Sequence, residues 1–156
     1  MFREKTKISY SESAIMEFVI SRLTLSAYNL KYLISLSKNS FPLECCAFLI
    51  GDTKLGDLNE SLVIDIISVR NNEQSVKSFS IEPEEVLSVY RLAEAKHLQV
   101  VGIFHSHPSR PIPSPTDQIY MEINPVIWLI HSTSTQGIGA FIYEDRIREV
   151  ELRVTE

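Results

Sequence analysis

Basic clusters, long apolar runs, glycine-rich turns and separated cysteines are all scarce in this chain, and each scarcity removes a class of function. Lys and Arg number 15 against 20 Asp and Glu, giving a formal charge of −5 and a sequence pI of 5.4. No Lys/Arg cluster interleaved with aromatics occurs, so no nucleic-acid partner is expected. No apolar stretch approaches the ~20 residues that a membrane span requires. The first ten residues lack the apolar centre of a signal peptide, so no membrane partner is expected either. The only cysteines, Cys45 and Cys46, are adjacent, and sequence neighbours rarely bridge. That usage points to free thiols and a cytoplasmic setting. Gly137 and Gly139 stand two apart with no helix expected after them, which does not make a phosphate-binding loop. No repeat or low-complexity tract is present.

With 156 residues and 44% hydrophobic content, the chain suits one compact domain with a proper core. Its centre is the run from Val100 to His107, followed by Pro108. The apolar, β-branched part predicts a buried strand. Side chains alternate along a strand, so His105 and His107 share a face while Ser106 points the other way. Two imidazoles on one face suit a shared ion, although a buried strand end also holds hydrogen-bonded histidines. Pro108 has no N–H and ends the ladder. Ser114-Pro115-Thr116-Asp117 then reads as a helix start, with Ser114 at the N-cap and Pro115 at the first helical position. Asp117 is the natural third ligand if the loop folds back, and a capping role is compatible with that.

These residues resemble a known signature. His105-Ser106-His107-Pro108 followed by Ser114 and Asp117 is similar to the motif of the JAMM (MPN-domain) zinc metalloproteases, which remove ubiquitin or ubiquitin-like proteins from conjugates. The spacer Ser109–Pro113 is shorter than in many members. A second stretch, from Pro42 through Glu44 and Cys46 to Gly51, resembles the family segment that carries its glutamate. Ala47 stands there where glycine is commoner. Taken alone, Glu44 reads as a solvated residue at a strand mouth. The resemblance covers roughly residues 18–154 and implies Glu44 as catalytic base and Ser114 as donor to the developing oxyanion. It implies His105, His107 and Asp117 as ligands of one Zn2+ per chain, with iron or manganese as the alternative metal. The implied activity is isopeptide or peptide hydrolysis after the C-terminal Gly-Gly of ubiquitin-like modifier proteins. Alternatives are C-terminal processing of ThiS/MoaD-type sulfur-carrier proteins and a non-catalytic MPN scaffold. A zinc nucleobase deaminase is excluded, because its His-x-Glu and Pro-Cys-x-x-Cys elements are missing.

Elsewhere, residues 17–25 predict a strand leading into a helix capped by Ser26, with Ala27, Leu30, Leu33 and Ile34 inward. Cys45–Ile50 predicts a buried strand that exits at Gly51, and residues 52–60 a turn-rich connector. Residues 62–69 predict another strand, and Phe79–Ile81 a short extended piece suited to pairing with a substrate tail. Pro83 opens a helix with Val86, Leu87, Tyr90 and Ala93 inward, closed by Lys96 and His97. Trp128 is read as core, His131 as a bystander, and Glu144-Asp145-Arg146 as a hairpin turn. The expected fold is α+β, a single domain with a mixed central sheet and helices on both faces, in keeping with the family's cytidine-deaminase-like fold. Residues 1–17 are expected to be an extension and residues 18–156 the domain. Oligomeric state is open, with a homodimer compatible.

Overall fold

The computed structural model describes residues 19–71 and 81–156. In chain order these form β1 (Arg22–Ser26), α1 (Ala27–Ser40), β2 (Cys46–Lys54), β3 (Glu60–Val69), α2 (Pro83–Ala95) and β4 (Gln99–His107). They continue with α3 (Pro115–Ile123), β5 (Ile127–Ser132), β6 (Ile138–Glu144) and β7 (Arg146–Thr155). The extension at residues 1–17 and all but Ile81 of the extended piece at 79–81 lie outside the described residues.

The sheet is not the open central layer expected. Its strands run in the order β1-β3-β2-β4-β5-β6-β7 and close into a barrel, because β1 pairs in parallel with both β3 and β7. β4 and β5 are also parallel, and the remaining pairs are antiparallel. The expectation of helices on both faces of a central sheet fails for a physical reason. Period-two patterning tells which sides of a strand are buried but not whether the outermost strands meet. A closed sheet has an inside and an outside, and its closure removes most free edges.

Two apolar clusters divide along that line. The inner one draws on every strand, from Leu23 in β1 through Leu49, Val63, Phe104, Leu129 and Ala140 to Val150 in β7, and α1 adds Leu33. The outer one takes the alternate residues Phe48, Ile103, Trp128 and Phe141, covered by Val89 and Ala93 of α2 and Met121 of α3. Burial on both sides explains why β2, β4 and β5 read as near-continuous apolar runs.

Local rules set the helices. The Ser26 side chain accepts a hydrogen bond from the Asn29 N–H at 3.0 Å, as its capping role predicts. Leu33 is buried with Leu30 and Ile34 beside it, but Ala27 is exposed. In α2 the inward face is Val86, Val89 and Ala93, at i, i+3 and i+7, while Leu87 and Tyr90 are nearly half exposed. The expected face included Leu87 and Tyr90 and omitted Val89, the residue that packing buries.

β2 does not exit at Gly51. It runs on to Lys54, so the connector shortens to residues 55–59. A Cβ on Gly51 would lie 1.8 Å from the carbonyl oxygen of Leu62, beside the register shift between Ile50 and Gly51. Only glycine permits that approach. A second shift places Leu49 opposite Gly102 but Ile50 opposite Val100, leaving Val101 as the extra residue of a bulge in β4. Val101 and Phe104 therefore both face the inner cluster. The bulge fixes the parity of everything after it. Ile103 and both histidines point outward, and Ser106 points inward.

Candidate functional site

Three separate stretches meet at the C-terminal end of β4. Glu44 lies just ahead of β2, and the pairing of Cys46 with His105 brings it alongside the histidine face. The His105 and His107 rings stand edge to face with centroids 4.5 Å apart, and the Trp128 ring packs on His105 at 5.7 Å. After Pro108 the chain folds back so that α3 begins against the histidines. Ser114 and Asp117 form a capping box there: Asp117 N–H donates to Ser114 Oγ at 3.1 Å, and Ser114 N–H donates to Asp117 Oδ2 at 2.7 Å.

The capped carboxylate faces both imidazoles. Asp117 Oδ2 is 3.0 Å from His107 Nε2, and Oδ1 is 3.5 Å from His105 Nε2. Glu44 Oε2 is 3.8 Å from the other nitrogen of His105, Nδ1. Glu44, His105 and His107 each offer a donor atom within 4.8 Å of the others. All four of Glu44, Asp117, His105 and His107 are buried. Capping and contact with the histidines coexist at Asp117, so neither reading of that residue displaces the other.

The electrostatics follow from this crowding. Burial lowers the pKa of His107, but its hydrogen bond to Asp117, the charges of Asp117 and Glu44 and the Arg110 carbonyl together raise it above the usual imidazole value. Burial likewise raises Asp117, yet its hydrogen bond to His107, the charge of His105 and the Ser114 N–H hold it below the ordinary carboxylate value. The Arg110 carbonyl lies 3.3 Å from His107 Nδ1. A carbonyl and a carboxylate both only accept, so each nitrogen of the His107 ring faces an acceptor, which favours the protonated imidazolium. Among the described residues, the ion pairs of Glu44 and Asp117 are with these two histidines alone. Two buried carboxylates and two imidazoles without a basic side chain make a donor set that fits a divalent ion.

All five residues singled out from the sequence are thus in one place. Three of them, Glu44, His107 and Ser114, line a cleft of about 450 Å³ whose walls also include Pro108, Arg110 and Ile112. His97 lies elsewhere, exposed past the end of α2 with φ of 57°. His131 is buried opposite Ser106 in the β4–β5 pair, on the inner side. Cys45 and Cys46 are free thiols in the inner and outer clusters respectively. Burial raises both, and for Cys46 the neighbouring Cys45, Glu85 and Glu44 add to it. Sequence reasoning missed the residues that hold the site's backbone. Thr133 donates from its N–H and from Oγ1 to the His107 carbonyl at 2.9 and 3.1 Å. Asn71 Nδ2 donates to the Glu44 carbonyl at 3.0 Å. No local pattern marks either residue, since each acts across a long sequence separation.

Residues 26–142 match the family described as prokaryotic homologs of the JAB domain. The chain belongs to this family. Among curated relatives, the desampylase of Pyrococcus furiosus is 37% identical over 144 residues, covering 91% of this chain and 97% of that protein. The desampylase of Haloferax volcanii is 27% identical over 139 residues, covering 86% and 97%. A solution structure of a Desulfitobacterium hafniense protein matches with a TM-score of 0.73 at 27% identity, covering 86% of this chain and 93% of that one. A Salinibacter ruber protein shares the fold, with a TM-score of 0.63 at 21% identity, covering 85% and 92%.

Proposed function

We propose that this JAB-family chain is a JAMM-type hydrolase, a zinc-dependent isopeptidase that cuts after the C-terminal Gly-Gly of ubiquitin-like modifier proteins, like the desampylases it resembles. One observation carries the reading: Glu44, His105, His107 and Asp117, from three separate stretches, converge in one buried cluster whose ion pairs are among themselves, with the half-buried Ser114 beside Asp117 at the edge of the cleft. His105, His107 and Asp117 hold one zinc ion per chain, with their backbone fixed by β4 and by the cap of α3. Zinc, when bound, supplies the Lewis acidity that activates water and polarises a carbonyl at neutral pH.

The chain's own residues do the rest. Glu44 takes the proton of the attacking water and returns it to the departing amine, as a buried carboxylate beside the site is placed to do. Ser114 Oγ already accepts from Asp117 N–H. Its own O–H remains to donate to the developing oxyanion. The substrate tail binds extended in the cleft. Beyond Leu62, β3 pairs only with β2 among the described residues, and its free edge ends at Val69, opposite Cys46 and close to Glu44. A Gly-Gly tail suits such an edge, because strand pairing uses backbone bonds and glycine lets the carbonyl approach closely. α3 ends at Ile123 just before Pro125, so no long insertion selects among linkages. Two free buried thiols fit a cytoplasmic setting.

The test is incubation of the zinc-loaded protein with lysine-linked and peptide-linked conjugates of ubiquitin-like proteins and with C-terminally extended sulfur carriers. Cleavage after Gly-Gly of both kinds of conjugate is expected, with little linkage preference. Replacing the last glycine of the modifier by Leu is expected to block it. Equal cutting of the Leu substrate overturns the ubiquitin-like assignment, and cleavage confined to sulfur carriers moves the function to their processing.

A further inference from the structure

Ser106, the middle residue of His-Ser-His, faces away from the histidines, and the reading above gives it no role. Its surroundings do. Cys46 pairs with His105 at the end of the β2–β4 ladder, so Cys45 stands opposite Ser106 one rung further on. A regular rung there would exchange two backbone hydrogen bonds. One is present, from Ser106 N–H to the Cys45 carbonyl at 3.2 Å. The other is replaced: the Cys45 N–H donates to Ser106 Oγ at 2.9 Å. Both residues are buried, so no bulk water is at hand to substitute for the hydroxyl. Glu44, immediately before this rung, is otherwise tied at its backbone by Asn71.

We propose that Ser106 is a positioning residue for Glu44, its hydroxyl closing the last rung between β2 and β4 and so fixing the glutamate's distance from the histidine face. The proposal rests on Glu44 acting as the base. It links the two signature stretches physically: the serine of one holds the glutamate of the other in place. Threonine keeps the acceptor oxygen, alanine removes it, and cysteine keeps the shape with a much weaker acceptor.

The experiment measures zinc content, kcat and KM for Ser106→Ala, Ser106→Cys and Ser106→Thr, each made in the wild type and in Glu44→Gln. Ser106→Ala and Ser106→Cys are expected to lower kcat on the order of 10²-fold, the scale of a misplaced catalytic group, with zinc stoichiometry and KM unchanged. Ser106→Thr is expected to keep most of the activity. In the Glu44→Gln background none of the three should cost anything further, because the group they position is already gone. If Ser106→Ala does not fold, Ser106→Cys carries the same comparison. Full activity in Ser106→Cys overturns the proposal. So does zinc loss in parallel with activity, or an equal cost in both backgrounds. Full activity of Glu44→Gln by itself would instead refute the base assignment on which the proposal stands.

Discussion

Glu44 has two chemically distinct roles open to it, and one substitution separates them. Its carboxylate is near enough to His105 and His107 to share an ion with them, while Asp117 contacts the Nε2 atoms of both histidines. A ligand role predicts that Glu44→Gln loses zinc. A base role predicts near-normal zinc and a fall in turnover of ~10²–10⁴-fold. We expect the second, read by metal analysis and single-turnover rates. Ser114 divides in a similar way. Ser114→Ala removes cap and hydroxyl together and is expected to cost about 0.5–2 kcal/mol of stability, whereas Ser114→Asn keeps the cap. A stable but inactive Asn variant assigns the hydroxyl to catalysis. Wild-type activity in both variants leaves the cap alone.

At the scale of elements, what the sequence made legible is what local chemistry determines. Ser26, Pro83 and Ser114-Pro115 mark the three helix starts, because caps and prolines act within one turn. The shared face of His105 and His107 followed from strand alternation alone. The face of α2 did not: Leu87, Val89 and Tyr90 are all apolar, and only packing on the sheet decides that Val89 is the buried one. Nor did the length of β2, where Gly51 reads as a stop but is the point at which β3 crowds the strand. Gly51→Ala is accordingly expected to destabilise by at least about 1–3 kcal/mol, the cost of overpacking. Urea unfolding measures it. An unchanged midpoint would mean that β2 and β3 part there without penalty.

For the molecule as a whole, closure of the barrel was the least legible feature, because it depends on β1 meeting both β3 and β7 across most of the chain. The site was far more legible than the fold that carries it. Metal ligands must have particular side chains at particular spacings, whereas closure needs only compatible apolar strands. Even so, the approach of Glu44 to His105 came from resemblance and not from pattern, since no local rule places β2 beside β4. That approach and the bulge at Val101 are what assemble the cluster: one brings the carboxylate, the other sets which way the histidines face. On the proposed mechanism this cluster hydrolyses modifier conjugates only with zinc in it. The direct measurement is cleavage of a Gly-Gly-linked conjugate by protein stripped with a chelator, before and after one equivalent of zinc is added. We predict no cleavage by the stripped protein and recovery on zinc addition, while undiminished cleavage by the metal-free protein would contradict the account.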